Sequence, residues 1–449
     1  MWSRLKKAFS GAFVRHVFVL LGGTAVAHAV TLLALPVLTR LYSPEEFGVS
    51  GVFVALLGIV SVGSAWRYEI ALPLPRDDAS ATNLLVVALC CVALTTAGVT
   101  LLVAFFGPEL AALTKTEKLA SYIWWLPVGV ALTAASEVFR YWAIRKKAFA
   151  RVARARVEQA LGGVTAQLAL GWAGSGALGL IIGNVISHGL SLFSLGRRAF
   201  AEDRDLLRGV SVEGMATVAR DYDRFPKYST GEAFANVAAV QLPLILIASL
   251  AASSEVGYLM LGMRLMQAPL GLIGSSISQV FYTTAVEQHH QGQLGVLTAR
   301  SVGNLARIGV GPLVFAGIAS PALFGLAFGR EWQRAGELVA WMTPWFVFQF
   351  LASPVSMVLQ VTSRQRTALL LQVAGLILRV SMVAMVAYLG RDCYAESYAM
   401  SGWIFYLCYL LVICRAAEIP LSQIARACGR AAPFVAAWAG AGLALRTLI

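Results

Sequence analysis

Several charged residues fall inside long apolar stretches of this sequence, and they set the chemistry it can do. Arg264, Arg307 and Arg379 each lie within such a stretch, as do the pairs Arg67/Glu69 and Glu137/Arg140. A charge in hydrocarbon costs about 2.5–3.5 kcal/mol on insertion scales, so a charge kept there defaults to a functional role. A guanidinium grips two oxygens at once, which suits a phosphate or diphosphate, whereas a cation exporter needs an acidic residue at mid-membrane. Deep cations outnumber deep anions here, and no carboxylate falls at the midpoint of a stretch. Gln372 and Arg379 are seven residues apart and Arg264 and Gln267 are three apart, so each pair shares a helical face where an amide could join the guanidinium in holding hydroxyl-rich sugars. If the three arginines converge on one aqueous cavity, they form a receptor for a phosphorylated headgroup. The alternative is three structural arginines, paired locally or snorkelling. Arg67 and Glu69, two apart in Trp66-Arg67-Tyr68-Glu69, do not face each other on a helix, so each needs its own partner; substrate contact and local stabilisation weigh equally. His28, mid-way along the first stretch, is a candidate for ion coupling, against a role as a hydrogen-bonded packing residue.

The elements that must position these groups are membrane helices. A bilayer core takes about 20 apolar residues per helix, and such stretches occur at about 13–38, 48–72, 80–106, 120–143, 157–174, 177–196, 229–249, 255–282, 301–328, 337–362, 367–389 and 395–414. Of the residues, 58% are hydrophobic and 13% charged, and the mean hydropathy is +0.71. The fold class is therefore all-α, a polytopic membrane protein with about 12 transmembrane helices. The polar stretch 197–228 divides them six and six, giving an N-terminal bundle over 1–196, a connecting loop over 197–228, a C-terminal bundle over 229–414 and a tail over 415–449. The apolar stretch in the tail, Ala431 to Leu445, is short for a span and reads as an interfacial helix, with a thirteenth span as the alternative. An echo between the halves, Glu46-Phe47-Gly48 after Pro36 and Glu255-Val256-Gly257 after Pro243, suggests a duplication with its axis along the membrane normal.

Lys and Arg gather in alternate loops by about fourfold, which places both termini in the cytoplasm. The net charge of +13 thus reports topology and anionic lipid headgroups rather than nucleic acid. Ala27-His28-Ala29 mimics a leader cleavage site, but the apolar run continues to Leu38, so the helix is expected to stay attached. Cys90, Cys91, Cys393, Cys408, Cys414 and Cys428 have no metal-ligand spacing, and neither a disulfide framework nor a metal or other cofactor is expected. No paired-carboxylate site, metalloprotease motif or phosphate-binding glycine loop is present, and no polar region could shelter chemistry, so the chain does not read as an enzyme.

Two blocks of sequence resemble a known family. The first runs through Leu21-Gly22-Gly23-Thr24, Pro36-Val37-Leu38-Thr39-Arg40-Leu41-Tyr42-Ser43-Pro44-Glu45-Glu46-Phe47-Gly48 and Arg67-Tyr68-Glu69-Ile70-Ala71-Leu72-Pro73-Leu74-Pro75. The second runs from Arg224-Phe225-Pro226-Lys227-Tyr228-Ser229 through Gln241-Leu242-Pro243 to Gly274-Ser275-Ser276-Ile277-Ser278-Gln279-Val280-Phe281. Both look like bacterial polysaccharide biosynthesis flippases, the O-antigen and exopolysaccharide repeat-unit transporters of the multidrug/oligosaccharidyl-lipid/polysaccharide exporter superfamily. The resemblance implies a V of two six-helix bundles, as in multidrug and toxin extrusion transporters. It also implies an undecaprenyl-diphosphate-linked oligosaccharide as cargo, carried from the cytoplasmic to the periplasmic leaflet of the bacterial inner membrane by alternating access. Partners under this reading are membrane lipids and a polysaccharide polymerase with its chain-length regulator, around a monomer. A multidrug antiporter of the same fold and the lipid II flippase are the competing readings; a membrane glycosyltransferase or ligase would need a larger outer loop.

Overall fold

The computed structural model describes residues 11–113, 117–362 and 364–448. Arg4, Lys6, Lys7 and Lys115, which enter the charge count above, lie outside the described residues. Among those described, the secondary structure is helical throughout, without strands. The main helices are α1 (Gly11–Leu41), α2 (Pro44–Ser61), α3 (Asp78–Leu113), α4 (Trp125–Arg145), α5 (Phe149–Trp172), α6 (Ala177–Glu202), α7 (Val212–Asp221), α8 (Thr230–Leu250), α9 (Ser253–His290), α10 (Leu294–Leu305), α11 (Gly311–Phe328), α12 (Gln333–Ala352), α13 (Gln365–Tyr388), α14 (Tyr394–Ala416), α15 (Leu421–Gly429) and α16 (Ala432–Leu448). Among the described residues, nine helical stretches are long and apolar enough to cross a membrane. Helices α4 and α5, of 21 and 24 residues, have the length but not the apolarity. They carry Glu137 and Arg140, and Arg151 through Arg156; α9, of 38 residues, carries Arg264. Helices this polar belong against protein or an aqueous cavity rather than lipid.

The chain forms two compact units. The first comprises residues up to Tyr42 together with Val49–Gln241, and the second comprises Ser43–Gly48 together with Leu242–Ile449. In the first unit α5 packs on α1 and α6, and α4 on α3 and α6. Leu84, Ala88, Val138 and Trp142 are buried at the α3–α4 contact. The expected loop over 197–228 is largely helical and is fastened to this unit. Ser211 caps α7, its Oγ accepting from the Gly214 N–H at 3.0 Å. Met215, Val218, Ala219 and Tyr222 recur at helical spacing on one face and join the buried core. The Tyr68 hydroxyl donates to the Ala219 carbonyl at 3.1 Å, and the Ser211 N–H donates to Asn83 Oδ1 at 3.2 Å. The charged residues of this stretch are spread over the end of α6, the turn Arg204–Arg208, α7 and the π-helical turn Phe225–Ser229. The stretch is therefore a docked part of the first unit, not a free hinge.

A second set of polar contacts closes the same end of the unit. Asp78, at the start of α3, receives Arg145 Nη2 at 2.9 Å and Lys146 Nζ at 3.1 Å, and Lys146 also reaches Asp203 at 3.1 Å. The Trp142 indole N–H donates to the other Asp203 oxygen at 2.8 Å. Partial burial pulls the Lys146 ammonium down, but its bonds to Asp78 and Asp203 outweigh this and hold its pKa above the ordinary lysine value. The group stays charged throughout the physiological range.

In the second unit α12 is central, packing on α9, α11 and α14, with Trp332, Phe346 and Tyr398 fully buried. Arg334 at its start bonds Glu255 at 3.1 Å and Glu396 at 2.5 Å, so one guanidinium ties the N-termini of α9, α12 and α14. The carboxylates sit where helix dipoles favour anions. At the start of α2 the sequence Ser43-Pro44-Glu45-Glu46 forms a reciprocal cap: the Ser43 N–H donates to Glu46 Oε2 at 2.8 Å and the Glu46 N–H donates to Ser43 Oγ at 3.3 Å. The repeated glycines meet here. A Cβ added to Gly48 would lie 1.8 Å from the Ser253 carbonyl oxygen, and one added to Gly257 would lie 2.1 Å from the Pro44 carbonyl oxygen. Each glycine thus sits on the residue four positions before the other.

The apolar stretch of the tail forms a helix packed on α11. Trp438 of α16 packs edge-on to Phe315 of α11, ring centroids 5.6 Å apart. One turn on, a Cβ at Gly442 would meet Ile318 at 3.2 Å. Contacts that advance together along both helices mean that α16 runs parallel to α11, a helix apolar enough to span. Its other face exposes Phe434, Leu443 and Leu448. Seventeen residues give about 26 Å of helix, close to the hydrocarbon thickness of roughly 30 Å. If α16 crosses the membrane alongside α11, the end of the chain comes out on the side opposite Arg430. A phosphatase reporter fused after Arg430 is expected to report the cytoplasmic side, and one fused after the last residue the outer side. The same side for both would favour the interfacial helix.

Candidate functional site

Helix α2 stops at Ser61, well short of the expected residue 72. Ser64, whose Oγ donates to the Val60 carbonyl at 2.8 Å, and Gly63 are weak helix formers, and the side-chain bond competes with the helical one. Trp66 and Arg67 then adopt left-handed backbone angles, φ +52° and +62°. That turn brings Arg67 Nη1 to 3.2 Å from Glu69 Oε1. The expectation that these residues need separate partners is corrected: it assumed a helix, and the left-handed turn removes it. Glu69 is 5% exposed, and its Oε2 has no hydrogen-bond partner among the described residues.

Nearby in the first unit, α4, α5 and α6 enclose a polar cavity of about 180 Å³ lined by Ser136, Glu137, Arg140, Arg156, Gln159 and Ser191. Glu137 and Arg140, one turn apart on α4, form an ion pair. Arg156 donates to the Thr24 hydroxyl of α1. Gln159 Nε2 lies 3.4 Å from His188 Nδ1. Two guanidiniums against one carboxylate leave the cavity net cationic. Sequence reasoning missed Arg156, counting it in a loop because the apolar stretch starts at 157; the helix starts at Phe149, which sets Arg156 two turns inside. The signal available was the spacing of Arg151, Arg154, Glu158 and Gln159 around it, a helical rather than a loop pattern. His28 is half-buried on α1.

The arginines of the second unit have three different surroundings. Arg264 on α9 is ringed by protein without a charged neighbour among the described residues, yet part of its surface is accessible. Gln267, three residues on, is exposed. Arg379 on α13 is 3% exposed; its guanidinium lies 4.9 Å from the Phe405 ring centroid and 5.6 Å from that of Trp345, and it shares a hydrogen bond with Tyr406. Such enclosure is the locally paired condition given above as the alternative. Gln372 is half-buried two turns before it. Arg307, in a π-helical turn at Ala306–Val310, lines an open pocket that contains neither Arg264 nor Arg379. Among the described residues, the three thus have separate surroundings.

A family model described as "Polysaccharide biosynthesis protein" matches residues 37–337. The chain belongs to that family. The match takes in Arg67, Glu69, Arg140, Arg156, Arg264, Gln267 and Arg307, and ends before Gln372 and Arg379. No curated protein sequence matches the chain. Among solved structures, it is similar to the lipid II flippase MurJ in an inward closed conformation, at 12% identity with a TM-score of 0.74, covering 98% of this chain and 97% of that one. It is also similar to a multidrug resistance MATE family transporter of the MOP superfamily, inward-facing, at 14% identity and TM-score 0.58 over 89% of this chain and 94% of that one. The outward-facing form of such a transporter matches at 14% identity and TM-score 0.55, over 93% and 96%. The fold of this polysaccharide biosynthesis protein is therefore that of membrane transporters rather than of an enzyme.

Proposed function

We propose that this protein is a flippase that moves an undecaprenyl-diphosphate-linked oligosaccharide from the cytoplasmic to the periplasmic leaflet of a bacterial inner membrane by alternating access. The observation that carries the reading is Arg264: a guanidinium without a charged neighbour among the described residues, partly accessible, on a long helix. A cation held so needs an anion that arrives and leaves, and a diphosphate presents oxygens in the geometry guanidinium prefers. Gln267 on the same face offers an amide to the adjoining sugar. The polyprenyl chain stays in lipid, so only the headgroup has to shed water. The N-terminus is cytoplasmic under this reading, the protein works as a monomer, and the released product passes to a polymerase with its chain-length regulator.

The test is deletion of the gene in its host, complemented by wild type, Arg264→Lys or Arg264→Gln. Lipid-linked oligosaccharide should accumulate in the inner leaflet in the null strain. Arg264→Gln should restore less than about a tenth of the flux, the loss expected when one charge-assisted contact worth roughly 1.5–3 kcal/mol is removed. Full complementation by Arg264→Gln, with the protein inserted normally, would sink the assignment. A second reading, a cation antiporter of the same fold, draws on the buried Glu69 with its unpartnered oxygen. It predicts altered tolerance of cationic drugs with lipid-linked intermediates unchanged.

A further inference from the structure

The pocket that holds Arg307 is strongly cationic, and the transport reading does not use it. It measures about 470 Å³ and is bounded by Arg300 and Arg307 on the α10 side and Arg426 and Arg430 on the α15 side, with Asn304 and Gln423 between them. It contains four guanidiniums and no carboxylate, and none of the four forms an ion pair among the described residues. Four like charges facing one space repel unless an anion joins them. The volume exceeds what a lone phosphate ion fills and is in the range of small-molecule sites.

The neighbourhood says what kind of anion. Arg307 is followed directly by Ile308, 63% exposed, which opens an apolar groove of about 480 Å³ between α9, α11 and α12. Apart from Ser320, its lining is apolar or glycine, running along α11 from Pro312 to Phe328. Arg300, Arg426 and Arg430 belong to the basic loops that positive-inside bias assigns to the cytoplasmic surface, and Arg307 lies two turns further along the helix from Arg300. Helix α15, which supplies two of them, is short and amphipathic, the type that lies in the headgroup layer. A phosphate site at headgroup level that leads into an apolar groove fits a lipid with an anionic head.

We propose that Arg300, Arg307, Arg426 and Arg430 bind the phosphate of an anionic membrane phospholipid, with one acyl chain in the groove that starts at Ile308. The lipid would fasten α15 to α10 by charge where these helices have no ion pair of their own. The site is separate from Arg264 and does not depend on the transport reading.

Native mass spectrometry of the purified full chain with dioleoylphosphatidylglycerol, dioleoylphosphatidylcholine or inorganic pyrophosphate tests it. Phosphatidylglycerol should stay bound through removal of detergent, and phosphatidylcholine should not. The double variant Arg300→Gln/Arg426→Gln should bind phosphatidylglycerol at least about tenfold more weakly. The control Arg364→Gln/Arg366→Gln, which removes two charges elsewhere, should bind as wild type. Both substituted pocket residues are exposed, and a thermal melt checks that the variant is folded. Equal retention of the two lipids, or unchanged binding by the double variant, would overturn the proposal. Pyrophosphate binding as tight as phosphatidylglycerol would overturn it too, assigning the pocket to a diphosphate headgroup instead.

Discussion

Gly48→Ala and Gly257→Ala are each expected to lower the thermal stability of the purified protein sharply, and Gly98→Ala is not. The added methyl would lie 1.8 Å from the Ser253 carbonyl oxygen in the first variant and 2.1 Å from that of Pro44 in the second, whereas a Cβ at Gly98 meets nothing within 4 Å. The obstacle is backbone in both cases, so no rotamer change relieves it; the helices must separate, at the upper end of the ~1–3 kcal/mol that overpacking costs or beyond. The two glycines serve one crossing, so the double variant should cost less than the sum of the singles, since the first methyl already forces the helices apart. Transport should fall in step, because both helix starts belong to the cluster in which Arg334 joins Glu255 and Glu396. Melting temperatures of the four variants in detergent, compared with wild type, decide it. A Gly48→Ala protein that melts with Gly98→Ala would show that the helices do not cross at this contact.

The second large effect is expected at the left-handed turn. Arg67→Ala leaves the Glu69 carboxylate buried without its cation. Removing one partner of a buried pair costs about 3–5 kcal/mol, and the low end applies because the Arg67 side chain is partly open to water. Neutralising the orphan should recover much of the loss, so Arg67→Ala/Glu69→Gln is expected to be more stable than Arg67→Ala alone. By contrast Arg208→Ala, from an exposed pair on the surface, should leave stability unchanged within error. Denaturant midpoints of these variants give the comparison. If the double variant is no better than the single, the pair is not what holds Glu69 in place.

The sequence by itself determined the class of this protein, because length and apolarity are local properties of a stretch. Nothing but helices can satisfy their own backbone across so many runs of hydrocarbon-compatible length. It also offered the echo of Glu46-Phe47-Gly48 and Glu255-Val256-Gly257, and each of these glycines turns out to lie against the backbone just before the other. It marked Arg264, Arg307 and Arg379 as residues out of place in lipid, because the cost of a charge there does not depend on its neighbours.

Tertiary structure alone decided what each of those charges does. Depth along a helix says nothing of the direction a side chain takes around it. Thus Arg379 lies among Trp345, Phe405 and Tyr406, Arg307 faces Arg300, Arg426 and Arg430, and Arg264 keeps an accessible face without a charged neighbour. The turn at Trp66 and Arg67 was hidden for a similar reason: left-handed angles at non-glycine residues are held by surrounding contacts, not by propensity. The stretch 197–228 read as a loop because it is rich in charge along its length, and it took the surface of α3 to show the apolar stripe of α7 what to bury itself against. For the tail, 17 residues can lie on a membrane or cross it, and the pairing of Trp438 with Phe315 and of Gly442 with Ile318 sets it along α11.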